Sequence, residues 1–128
     1  MPDRSFDFAA LRSAYAAGAS PADVIEEVYR RIAALDDPGV FIHLLPKEQA
    51  LAAARALPPF AQATRMPLWG VPFAIKDNID LGGVPTTAGC PAFAYTPDRD
   101  AHCVARLRAA GAIAIGKTNL DQFATGLV

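Results

Sequence analysis

Gly70-Val71-Pro72-Phe73-Ala74-Ile75-Lys76-Asp77-Asn78-Ile79-Asp80 is the stretch on which the fold turns. Its apolar run ends in a lysine followed by two turn-forming residues, the pattern of a buried strand in a parallel sheet. Alternation puts Val71, Phe73 and Ile75 on one face and Pro72, Ala74 and Lys76 on the other. Lys76 then stands at the carboxyl end of the strand, with Asp77 as the adjacent counter-charge. Ligands bind at that end of open α/β sheets, and a lysine moved there into low dielectric can lose its proton and act as a base. On composition alone the simpler reading is a lysine solvated as it leaves the sheet.

Downstream, Leu81 to Pro97 is rich in Gly and Pro and has little periodicity, so it reads as a functional loop. Asp100 is the expected cap of a helix whose Cys103, Val104, Leu107 and Ala110 line one face. Gly111 ends that helix, and Ala112-Ile113-Ala114-Ile115 reads as a second buried strand. Strand, crossover helix and strand make a βαβ unit, which requires parallel strands and a right-handed crossover. Lys117-Thr118 then falls at the same sheet edge as Lys76, and Lys117 has the same two readings. Asn119 with Gln122 is the expected capping box of a last short helix, before a glycine-bearing loop at Thr125-Gly126-Leu127-Val128.

Upstream, Phe8, Leu11 and Tyr15 predict a short amphipathic helix closed by Gly18. Ser20 as N-cap, Pro21 at the first helical position and Asp23 in the first turn begin a second. Val24, Ile25, Val28, Ile32 and Leu35 form its apolar stripe, and Glu26–Arg30 and Glu27–Arg31 are the expected i,i+4 pairs of its solvated face. Asp36-Asp37-Pro38-Gly39 stops it, Val40 to Leu45 is a short β-rich run, and Pro46 opens a third helix. That helix turns Ala50, Leu51, Ala54 and Leu57 inward until Pro58-Pro59, and Phe60 to Met66 is loop. The expected fold is α/β: N-terminal helices, then the start of a mixed or parallel sheet with a βαβ crossover. Residues 1–66 are the expected helical region with a short strand, and 67–128 the first part of an incomplete core.

The 128 residues are 52% apolar and 20% charged, enough for one globular core. Twelve basic against thirteen acidic residues give no electrostatic case for nucleic acid or an acidic membrane. No basic-then-apolar leader and no long apolar span are visible, and Cys90 and Cys103 read as free thiols. The expectation is a soluble cytoplasmic protein. His43, His102 and the two cysteines have no metal-ligand spacing, so no metal or cofactor is expected. Gly111-Ala112-Ile113-Ala114-Ile115-Gly116-Lys117-Thr118 matches the phosphate-loop pattern G-x-x-x-x-G-K-[ST], but its middle residues are themselves the expected strand, with their N–H groups used in a ladder. Nucleotide binding stays as an alternative that a nucleotide titration tests.

Gly70 to Asp80, then Pro85-Thr86-Thr87-Ala88-Gly89, Asp100-Ala101 with Arg106-Leu107-Arg108-Ala109-Ala110-Gly111-Ala112, and Ile115-Gly116-Lys117-Thr118-Asn119 together resemble the opening of the amidase signature family. Within it, Cys90 to Pro97 and Thr118 to Val128 are most similar to the allophanate hydrolase branch. The resemblance implies hydrolysis of amide C–N bonds by a Ser–cis-Ser–Lys triad without metal, with Lys76 matching the triad lysine. It implies a small amide substrate, allophanate in that branch, a functional link to urea carboxylase, and a homodimer when full length. The tRNA-dependent amidotransferase A subunits share the lysine motif, but Asp121-Gln122-Phe123-Ala124-Thr125-Gly126 departs from their usual Met-x-Glu-Phe-Ala-Met. In the family both serines and the oxyanion loop lie beyond the point matched by Val128. Ser5, Ser13 and Ser20 are the chain's only serines, so the 128 residues alone are expected to be inactive.

Overall fold

The computed structural model describes residues 4–126, so Leu127 and Val128 of the expected terminal loop lie outside the described residues. The elements run α1 (Phe8–Ala16), α2 (Pro21–Leu35), β1 (Phe41–Leu44), α3 (Lys47–Arg55), β2 (Pro72–Lys76), α4 (His102–Ala109) and β3 (Ile113–Thr118). Short 3-10 turns occur at Phe60–Gln62, Pro91–Phe93 and Gln122–Ala124.

The helix starts follow local chemistry. Asp7 accepts from the Ala10 N–H at 2.7 Å to begin α1, and Ser20 accepts from the Ala22 N–H at 3.1 Å to begin α2. Asp36 closes α2 in the left-handed region, at φ 49°. Leu11 and Tyr15 are buried as the periodicity requires, whereas Phe8, at the start of the same stripe, is exposed. Leu35 is exposed at the other end of α2, and Tyr29 is buried beside its stripe, where its hydroxyl donates to the Leu45 carbonyl at 2.7 Å. On the solvated face of α2 the expected Glu27–Arg31 pair forms, with further partners around it. Glu27 takes both Arg30 (2.6 Å) and Arg31 (2.8 Å), while Glu26 reaches Lys47 on α3 at 3.0 Å.

The three strands form one mixed sheet in the order β1-β3-β2, with β3 parallel to β2 and antiparallel to β1. The parallel βαβ unit is therefore present, and β1 joins it across the expected 66/67 division. Ile113 and Ile115 pack one face of the sheet on α2 and α3, with Ile25, Tyr29, Ala50, Leu51 and Ala54. Ile75 and Ala114 pack the other on Leu81, Val84 and Val104, under the long loop and α4. A third cluster joins Leu11, Tyr15, Val24 and Trp69, with Val71 at its margin. Tyr15 ties it down by donating to the Gly70 carbonyl at 2.6 Å. Gly111, at φ +96°, turns the chain from α4 into β3 so close to Trp69 that an added Cβ would lie 2.7 Å from its Cα.

Two helix-entry expectations are corrected. Asp100 does not cap α4: its carboxylate accepts from the Gly82 N–H at 2.8 Å and from Arg108 at 3.0 Å, and Ala101 occupies the cap position without a side-chain bond. Asn119 forms no capping box; its amide donates to the Gly39 carbonyl at 3.2 Å and its oxygen accepts from the Leu120 N–H. That choice ties the end of β3 to the turn before β1. The face of α4 also differs from expectation. Cys103 is exposed, so the buried face is narrower than the apolar stripe and centres on Val104.

Candidate active site

Lys76 is the last residue of β2 and lies in register with Thr118 at the end of β3. Thr118 donates weakly to the Ile75 carbonyl at 3.5 Å, and the Asp77 N–H continues the ladder to the Thr118 carbonyl at 3.1 Å. The paired backbone thus holds the base of Lys76 up to its Cα. Its side chain is exposed among the described residues, which do not supply the low-dielectric setting expected for a base.

The neighbouring residue faces the other way. Asp77 and Lys117 are both fully buried, at 0% exposure, and form an ion pair of 2.7 Å between Asp77 Oδ1 and Lys117 Nζ. Asp77 Oδ2 accepts from Thr87 Oγ1 at 2.5 Å and from the Thr87 N–H at 3.2 Å. Lys117 also donates to Thr86 Oγ1 at 3.2 Å and to the Pro85 carbonyl at 3.4 Å. Thr86 in turn donates to Asp80 at 2.8 Å, and Tyr95 donates to the same Asp80 oxygen at 2.6 Å. That bond to Asp80 favours the protonated phenol and holds Tyr95 above its ordinary range. Charge-assisted bonds of this kind hold the loop from Leu81 to Pro97 on the carboxyl ends of β2 and β3. A bridge between Thr86 and Tyr95 closes the loop on itself, and the Ala88 N–H donates to the Asp77 carbonyl at 2.9 Å.

Lys117 thereby parts company with Lys76. The cause is an irregular register: Ile113 and Ala114 pair with Pro72 and Phe73, whereas Gly116 and Lys117 pair with Ala74 and Ile75. Strict alternation would put Lys117 on the face of Ile113 and Ile115, against α2 and α3. The extra residue moves it to the face of Ile75, where Asp77 and the loop meet it. Nothing in the sequence marks the bulge, and for that reason Asp77, Asp80, Thr86, Thr87 and Tyr95 do not stand out there as a group. The adjacency of Thr86-Thr87 on the one segment that reads as a functional loop is the available signal. The same ladder bears on the Gly111–Thr118 motif: Ile113–Thr118 is a strand with a partner on each side, not a loop of free N–H groups.

Two cavities do not include Lys76 in their lining. One, of about 330 Å³, opens between α1 and Phe60, Met66 and Trp69; another of that size runs between α2 and the sheet, past Phe41, Ala74 and Ile115. No helix among the described residues is long and apolar enough to cross a membrane.

A family profile described as Amidase matches residues 23–128. The urea amidolyase of Saccharomyces cerevisiae is 56% identical over 88 residues, covering 69% of this chain and 5% of that protein. The A subunit of a glutamyl-tRNA(Gln) amidotransferase from Salinispora tropica is 44% identical over 127 residues, covering 95% of this chain and 26% of its own length. The solved Kluyveromyces lactis allophanate hydrolase superposes with a TM-score of 0.79 at 39% identity, covering 98% of this chain and 21% of that one. The chain therefore spans between about a twentieth and a quarter of the length of these relatives.

Proposed function

Because the chain belongs to the amidase family, we propose that it carries the general base of an enzyme that hydrolyses amide-type C–N bonds. The observation that carries this reading is Lys76, exposed at the carboxyl end of β2 while the second lysine of that edge is buried in an ion pair. An unprotonated Lys76 would take the proton of a serine nucleophile through a bridging serine, then return it to the leaving nitrogen. Backbone N–H groups beside the nucleophile would hold the oxyanion.

Ser20 is engaged as a helix cap, and Ser5 and Ser13 lie in the same N-terminal region, so both triad serines and the oxyanion groups are assigned to residues outside these 128. The 128 residues alone are accordingly inactive in this proposal. In this proposal residues 1–66 are a helical region with a short strand, β1, and 67–128 the first, incomplete part of the catalytic core. Allophanate is the substrate we favour, in a cytoplasmic homodimer working with a urea carboxylase, because an allophanate hydrolase and a urea amidolyase are among the similar proteins. The amidotransferase role is the second reading, favoured by the match to the Salinispora tropica protein over 95% of this chain.

The test is Lys76→Ala in the full-length enzyme, with ammonia release measured from allophanate and from a simple amide. Loss of the base is expected to lower kcat at least about a thousand-fold with the fold intact, within the span seen for general acid–base groups. Near-normal rates would remove Lys76 from the mechanism. Glutamine-dependent amidation of a charged tRNA, without allophanate hydrolysis, would select the second reading.

A further inference from the structure

We propose that Lys117 is a positioning residue whose task is to hold Asp77 away from Lys76, leaving the catalytic lysine without a counter-ion. The inference rests on the reading of Lys76 as the base.

A base of this kind must shed its proton, and a carboxylate close to an ammonium opposes that loss. The chain places one beside Lys76 by covalent necessity, since Asp77 is the next residue. The structure shows where that carboxylate goes. Both of its oxygens are engaged on the far side of the strand end, Oδ1 by Lys117 at 2.7 Å and Oδ2 by Thr87 at 2.5 and 3.2 Å. Asp77 is fully buried there while Lys76 is exposed.

Lys117 is well placed to neutralise this corner. It enters through the β2–β3 bulge, which alone brings its side chain to the face of Asp77. The other titratable groups around the pair are Asp80, reached through Thr86; Tyr95, which donates to Asp80; and His43, opposite Lys117 across the β1–β3 ladder. Asp77 is thus paired with this buried cation directly, and Asp80 is linked to it only through Thr86; removing the cation leaves negative charge beside Lys76.

This predicts different responses from the two halves of the pair. In Lys117→Met the titration midpoint of Lys76 moves up, as a carboxylate left without its cation beside a lysine requires. In Asp77→Asn the carboxylate is gone and a fully buried lysine without its partner is neutral, so no charge faces Lys76 and the midpoint stays. In the double variant, which removes both charges, it returns to the unsubstituted position. Thr87→Val, which loses a donor to Asp77 but leaves the ion pair, moves it little.

The experiment follows Lys76 itself, so it does not depend on turnover. Full-length protein is reductively methylated with 13C-formaldehyde, the Lys76 signal is assigned by its absence in Lys76→Arg, and its NMR shift is followed against pH. Melting curves accompany each variant, because either single change breaks a buried ion pair. If Lys117→Met does not fold, Lys117→Gln, which also removes the cation but can still hydrogen-bond Asp77, carries the test by the same upward move. A midpoint that moves up in Lys117→Met and stays in Asp77→Asn and in the double variant is the supporting result. A midpoint that ignores loss of Lys117, or a double variant displaced from the unsubstituted protein, overturns the role of Lys117. Hydrolysis retained in Lys76→Ala would instead remove the functional reading, whichever way the midpoints fall.

Discussion

Gly111→Ala offers a direct measure of how tightly the α4–β3 turn is locked to the segment before β2. Two costs add at this position. At φ +96° an L-residue is strained by about 1–2 kcal/mol. The new methyl also meets backbone, at 2.7 Å from Trp69 Cα and 3.0 Å from Trp69 N. Those atoms cannot step aside cheaply. The Gly70 N–H donates to the Gly111 carbonyl at 2.9 Å, the Leu68 N–H to the Ala110 carbonyl at 2.9 Å, and the Ile113 N–H to the Val71 carbonyl at 2.8 Å. Forced insertion of a methyl into packed surroundings costs about 1–3 kcal/mol, for a total of about 2–5 kcal/mol. Gly18→Ala is the control: φ is +100° there, but nothing lies within 4 Å of the added Cβ, so only the backbone strain applies. Urea unfolding read by fluorescence of Trp69, the chain's single tryptophan and itself the clashing residue, compares the two variants in one background. Gly111→Ala is expected to lose about 1–3 kcal/mol more than Gly18→Ala. Equal losses would refute the claim that Trp69 and Gly111 form a fixed contact.

Ser20→Ala removes the bond to the Ala22 N–H and is expected to cost about 1 kcal/mol in the same unfolding assay. Tyr15→Phe leaves the Gly70 carbonyl without its 2.6 Å donor and is expected to cost about 1–3 kcal/mol. Burial pushes the Tyr15 and Tyr29 phenols up to about 12 from an ordinary 10. Folding favours their protonated forms, so their contribution is whole below pH 10 and is lost as pH rises from 10 towards 12. The drop in unfolding midpoint between pH 9.5 and 11.5 should shrink in the Tyr15→Phe/Tyr29→Phe variant; an unchanged drop would show that these phenols are not protected.

The sequence is most informative where the determining chemistry is local. Ser20-Pro21 marks the start of α2 because cap and first helical residue act within one turn. The apolar runs at 71–75 and 112–115, separated by one helix, are enough to imply two parallel strands, because crossover handedness and direction follow from connection length. The failures share a different cause. Asp100 and Asn119 are good caps by type, but each finds a partner distant in the chain, Gly82 and Arg108 for one and Gly39 for the other. Lys117 cannot be separated from Lys76 by sequence because the difference lies in a one-residue slip between strands that no run of residue types announces. Lys76 itself is legible as a strand-end lysine, and the role proposed for it comes from resemblance rather than from its surroundings.

The strand order has a consequence for how the chain is made. β3 is the last of the three strands to leave the ribosome, yet it is the middle one, and neither β1 nor β2 pairs with the other. Until residues 113–118 have emerged, Phe41–Leu44 and Pro72–Lys76 have no ladder to join, and their hydrogen-bonding edges stay open. Closure then happens across long loops, which is entropically slow and leaves apolar segments available to the wrong partners. The helices α2 and α3, complete well before that moment, bury Leu51 and Ile25 against each other and can shelter part of this surface in the interval. Pairing of these three strands is thus a single event, timed by the arrival of the middle one.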